Sequence, residues 1–120
     1  MSRARLLVEV LGTYVRAWVL LRRRTLPEAL ASLRASGRPQ RPEDPRRLGR
    51  AVNRTLRVLP TDSRCLVRSA TLAGLLAHRG LAGVVVLGVR PGGSFAAHAW
   101  VELDGVALLP DGGFERLAEL

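Results

Sequence analysis

The chain has 120 residues, a hydrophobic content of 48% and a formal charge of +9, too apolar for a disordered segment and long enough for one core. All 19 basic residues are arginine, which excludes the lysine of a phosphate-binding loop, a kinase-type ion pair and Schiff-base chemistry. The single cysteine cannot form an internal disulfide, and with only His78 and His98 beside it no familiar zinc spacing exists, so neither metal nor cofactor is expected.

In chain order, the first apolar run is Leu6 to Leu21. It imitates a signal peptide, but Glu9 and Arg16 interrupt it, no small-residue cleavage site follows, and Arg22, Arg23 and Arg24 close it. Its uncharged stretches fall short of the roughly 18–20 residues of a spanning helix. Leu7, Leu11, Tyr14, Trp18 and Leu21 recur at helical spacing and predict an amphipathic helix packed on a core or partner, in a cytoplasmic protein without a membrane span. Thr25 and Glu28 have capping-box spacing around Pro27 and predict a short helix from Pro27 to Ala35, stopped at Gly37. Residues 37–45, with Pro39, Pro42 and Pro45, read as a linker. Asp44 and Pro45 open a further helix with Leu48, Val52, Thr55, Leu56 and Leu59 on one side, ended by Pro60.

Charge divides the chain. Residues 1–60 carry 14 arginines against 4 acids, and residues 61–120 carry 5 against 6. One domain is expected, with a basic helical part over 1–59 facing a partner and a chemical unit over 60–120. Nucleic acid is not the expected partner, because no helix-turn-helix, RNA-recognition, KH or zinc-finger signature is present and only five residues are aromatic.

In the second half, Asp62 or Ser63 caps a helix from Arg64 whose apolar positions are Leu66, Ala70, Leu72, Ala73, Leu75, Leu76 and Ala77. His78 and Arg79 suit its negative end, and Gly80 suits the residue beyond. Cys65 then lies in the first turn, where unpaired N–H groups and the positive helix end stabilise negative charge on sulfur. The plainer alternative is a small buried hydrophobe. Gly83–Arg90 reads as a buried strand, Phe95–Leu103 as a second, and Asp104-Gly105 as a hairpin turn returning the chain over Val106–Asp111. That register sets Leu103 against Val106, Glu102 against Ala107 and His98 against Asp111. Opposed Cβ atoms lie about 4.5–5.5 Å apart, within reach of an imidazole–carboxylate hydrogen bond. An ordinary cross-strand pair is the alternative.

A helix-start cysteine, a strand histidine and an acid on the next strand follow the order of papain-like and transglutaminase-like folds. The expected architecture is α+β, with N-terminal helices and a nucleophile-bearing helix packed on a small antiparallel sheet. In the expected chemistry the histidine keeps the sulfur ionised and protonates the leaving group, while the acid orients the ring.

Asp62-Ser-Arg-Cys65-Leu-Val-Arg-Ser69, the leucine-rich helix ending Arg79-Gly80, the Val84–Arg90 strand and Ala97-His98-Ala-Trp100-Val-Glu102 together resemble the lasso peptide leader peptidases. These are the small transglutaminase-like B proteins of lasso peptide gene clusters, and the compact length resembles their split form, which lacks a fused leader-recognition domain. The resemblance covers roughly residues 60–112 and implies that Cys65 is the nucleophile, His98 its partner and Asp111 the acid. Arg64, Arg68, Ser69, Trp100 and Glu102 match motif positions with a supporting or substrate-binding role. It implies a cysteine protease that removes the leader from a ribosomally made precursor peptide, a small leader-binding recognition protein that presents the substrate, and an ATP-dependent cyclase acting downstream. The rival readings are another transglutaminase-like acyl transferase, or a noncatalytic peptide- or nucleic-acid-binding module.

Overall fold

A computed structural model describes residues 3–35, 39–57, 65–89 and 97–120. Four helices come first: α1 (Arg3–Arg23), α2 (Leu26–Ala35), α3 (Pro45–Leu56) and α4 (Cys65–Ala77). Four strands follow: β1 (Val84–Val89), β2 (Ala97–Leu103), β3 (Val106–Ala107) and β4 (Glu115–Glu119). They form one antiparallel sheet in the order β3-β2-β1-β4.

α4 is the centre of the molecule. Residues 69–76 are all buried, as expected of a helix apolar on every side and enclosed by neighbours. α1, α2 and α3 pack against it from one side and β2 from the other, so helices and sheet share one apolar core. The end of α4 follows the predicted chemistry. Gly80 takes a positive φ of 75°, Leu81 N–H reaches Leu76 O, and Gly80 N–H reaches Ala77 O, a Schellman closure. Arg79 donates to the Leu75 carbonyl and forms a two-pronged ion pair with Glu9 of α1. The arginine side chain is fully buried, so Glu9, which seemed only to interrupt an apolar run, bolts α1 to α4.

α2 and α3 begin where their caps predict. Thr25 Oγ1 donates to Glu28 Oε1 and accepts the Glu28 N–H; the hydroxyl first, and then the Thr25 backbone, hold the Glu28 carboxyl below its ordinary pKa. Asp44 accepts the Arg46 N–H, with Pro45 in the first turn. The expected helix stop at Gly37, the Leu59 and Pro60 positions, the Asp62 or Ser63 cap, Arg64 and the Pro91–Ser94 loop lie outside the described residues.

Three expectations are corrected. The buried face of α1 is Leu6, Val10, Thr13 and Ala17; Leu7 and Trp18 of the predicted stripe are 46% and 41% exposed. Small residues let this helix approach α4 closely, Thr13 lying against Gly74, and small side chains leave little trace in a hydrophobic period. Secondly, β4 is absent from the sequence reading. All five of its residues are exposed and Glu-Arg-Leu-Ala-Glu has helical propensity, so only pairing with β1 makes it a strand.

Thirdly, the hairpin turn and its first pairs form as predicted, but β3 ends at Ala107. Leu108 N–H still bonds Val101 O, which makes Ala99 and Pro110 the next hydrogen-bonded pair of that register. Proline has no N–H to give the Ala99 carbonyl, and the ladder stops. His98 therefore never comes into register with Asp111.

Candidate active site

The early end of β3 creates the site. It leaves the outer edge of β2 open at Ala99, whose N–H must find another acceptor. Cys65, the first residue of α4, fills that place: its Sγ accepts the Ala99 N–H at 3.2 Å. The sulfur thus sits beside a backbone donor and at a helix start, where the first N–H groups have no intrahelical partner.

The Pro110 carbonyl that would have accepted from Ala99 turns instead to His98 and lies 2.8 Å from its Nε2. A carbonyl only accepts, so Nε2 carries the proton and the neutral ring keeps its lone pair on Nδ1. Trp100 and Phe114 flank the imidazole, with ring centroids 5.9 Å and 5.2 Å away. Trp100 Nε1 donates to Glu102 at 2.8 Å, and Glu102 pairs with Arg116 at 2.5 Å. Arg116 also bonds Glu119 on β4. The Arg116 contact first, and then the Trp100 N–H, hold the Glu102 carboxyl below the ordinary glutamate range; Glu102 raises Arg116 in return. The motif residues Trp100 and Glu102 therefore form a brace from the imidazole to β4.

Cys65 and His98 line one narrow cleft together with Ala99, Leu109, Pro110, Asn53 and Arg68. Arg68, one turn beyond Cys65 on α4, donates through Nη1 to Asn53 Oδ1 at 3.1 Å. Arginine has no acceptor, so the amide oxygen must face it and the Asn53 NH2 group is left as the donor end. Asn53 was not among the predicted residues. Nothing in the sequence separates it from the other polar side chains of the basic helical part, and only the packing of α3 on α4 singles it out. Gly49, one turn earlier, lets α3 approach the segment after β3: a Cβ there would lie 2.4 Å from the Leu108 carbonyl oxygen.

Asp111 stands apart from the dyad. Its Oδ1 accepts the Gly113 N–H at 3.0 Å and its carbonyl accepts from Phe114 N–H, making a turn through Gly112 and Gly113, both at positive φ. The expected carboxylate–imidazole pair is replaced by a backbone contact, and Asp111 shapes the turn that brings Phe114 onto His98. Ser69 is fully buried and its Oγ has no partner among the described residues, so it fills the core beneath Cys65. No group of three His, Cys, Asp or Glu that could hold a metal occurs among the described residues, nor any helix long and apolar enough to cross a membrane.

A helix-start thiol and an oriented imidazole in one cleft, on four helices and an antiparallel sheet, define a transglutaminase-like domain. The profile of the transglutaminase-like superfamily matches residues 7–119, and the chain belongs to that superfamily, which includes cysteine peptidases and acyltransferases. Among curated proteins and among solved structures, no significant match is found.

Proposed function

We propose that the chain is a cysteine peptidase that removes the leader from a ribosomally made lasso peptide precursor. The observation that carries the reading is the shared cleft of Cys65 and His98, with the ring held through Nε2 and its Nδ1 lone pair left for the thiol. The resemblance of the segments around both residues to leader peptidases supplies the substrate class.

His98 Nδ1 takes the thiol proton, and Cys65 Sγ bonds to the scissile carbonyl carbon. The oxyanion is met by the Cys65 backbone N–H and the Asn53 NH2, donors set in advance by the start of α4 and by Arg68. The intermediate collapses with cleavage of the C–N bond, and the imidazolium returns its proton to the departing amine. Water then attacks the thioester while His98 takes its proton, and the C–S bond breaks to release the acid and restore the thiol. Pro110 performs the orienting task expected of Asp111. A small leader-binding protein presents the precursor, and the released core passes to the ATP-dependent cyclase, all in the cytoplasm where the precursor is made.

The test is incubation with a candidate precursor, with and without the leader-binding protein, followed by intact mass analysis. Two products summing to the precursor plus one water are expected from the wild type, and none from Cys65→Ala or His98→Ala. Products joined to an amine would establish acyl transfer instead, and cleavage by Cys65→Ala would remove the thiol from the chemistry.

A further inference from the structure

A broad recess lies away from the thiol, between α1 and α3. Leu6, Leu7 and Ala51 contribute its apolar walls, and Arg3, Arg50 and Arg54 rim it. Arg47 also lines it but is paired with Glu43 at 3.2 Å. Arg3, Arg50 and Arg54 have no ion partner among the described residues, an unbalanced positive rim over a surface where Leu7 is 46% exposed.

This recess is linked to the catalytic cleft by shared lining residues. Arg50 is shared with a second groove, between α3 and the segment after β3. That groove in turn shares Asn53, Leu109 and Pro110 with the cleft holding Cys65 and His98. The surface of α3, with Arg50 at the boundary common to both grooves, is therefore a rail leading from the thiol to the arginine rim.

We infer that this rail binds an acidic, leucine-bearing segment of the peptide substrate, with its carboxylates on Arg50, Arg54 and Arg3 and its apolar side chains against Leu6, Leu7 and Ala51. The inference rests on the peptidase reading for the identity of the occupant as substrate. Arg50 lies three residues from Asn53, a rise of about 4.5 Å, and an extended chain covers about 3.3 Å per residue. Allowing for the reach of an arginine, the carboxylates fall roughly two to five residues from the scissile bond. Among the described residues Asp111 is the one acid lining the middle groove, so the carboxylates belong beyond Arg50 and not beside Asp111. Apolar walls and a lining without aromatic side chains suit a peptide better than single-stranded RNA, which needs stacking platforms.

Three fluorescein-labelled probes test this at low salt by anisotropy on the full chain carrying Cys65→Ala: a peptide of four Leu-Glu repeats, its Leu-Gln counterpart, and a 12-nucleotide RNA. The Leu-Glu peptide is expected to bind about tenfold or more tightly than the Leu-Gln peptide, and Arg50→Gln with Arg54→Gln, both exposed and compatible with folding, to remove that preference. In wild type the Leu-Glu peptide should slow iodoacetamide alkylation of Cys65, the only cysteine, and fail to do so in the double variant. Equal binding of the two peptides, a preference that survives the double substitution, or tighter binding of RNA would overturn the rail. Precursor cleavage with an unchanged KM in the double variant would also reject the rail while the peptidase reading stands. Selective peptide binding and Cys65 protection without cleavage of any precursor would reject the peptidase reading while the rail stands.

Discussion

The two walls of the cleft are built on different principles. The sulfur rests on α4, a helix buried on every side, with α3 brought against the post-β3 segment by the absence of a side chain at Gly49. The imidazole rests on a strand edge, and its position depends on aromatic contacts, one carbonyl and an exposed polar brace ending at Arg116 and Glu119. Packing fixes the thiol of Cys65 and directional polar contacts aim the imidazole of His98. Changes in the first wall should therefore cost stability or transition-state binding, and changes in the second should be milder and sensitive to pH.

The largest effect is expected at Asn53, whose NH2 group the proposed mechanism makes a donor to the oxyanion. Asn53→Ala should lower kcat by about 100-fold with little change in KM and an unaltered circular dichroism spectrum. A loss confined to KM would move Asn53 from the reacting centre to ground-state binding.

Gly49→Ala comes next, because its new methyl would meet the Leu108 carbonyl oxygen at 2.4 Å and backbone has no room to yield. A cost of about 2 kcal/mol is expected, seen as a fall in Tm of roughly 5–15 °C by calorimetry. An unchanged Tm would show that α3 is not wedged against the hairpin.

On the other wall, Glu102 has a carboxyl held below its ordinary range by Arg116 and Trp100. Its contribution is fully present above the unfolded glutamate value of about 4.3 and is lost as pH falls through the lower folded value. Glu102→Gln should cost under about 1 kcal/mol at pH 7 and less as the pH approaches 3, read from urea unfolding at each pH. A difference that widened on acidification would contradict the brace.

The smallest effect is expected at Asp111. Asparagine keeps the oxygen that accepts the Gly113 N–H, so Asp111→Asn should retain kcat/KM within about threefold. An acid that orients a catalytic imidazole costs about four orders of magnitude when amidated, and a loss of that size would return the role to Asp111.

How much of this could be read in the sequence depends on the range of the interaction. The starts of α2 and α3 and the close of α4 rest on contacts within a few residues, Thr25 with Glu28, Asp44 with Arg46, Gly80 behind Leu76, and all were legible. The place of Cys65 in the first turn of α4 was legible as well. The face of α1 was not, because Thr13 and Ala17 are small and Glu9 is bolted to a residue seventy positions away. Asn53 and β4 likewise take their roles from partners distant in the chain. Pro110 is different. A proline at a hydrogen-bonded position of the expected ladder argues against pairing as far as His98, and this backbone constraint outweighs the charge complement of His98 and Asp111.

The central claim is that the His98 ring is aimed through Nε2 by the Pro110 carbonyl, leaving Nδ1 as the base for Cys65. Long-range proton–nitrogen NMR of ring-labelled protein tests it directly, with His78→Gln identifying the signals of the only other histidine. The neutral His98 ring is predicted to carry its proton on Nε2. A proton found on Nδ1 would turn the lone pair toward Pro110 and contradict the account.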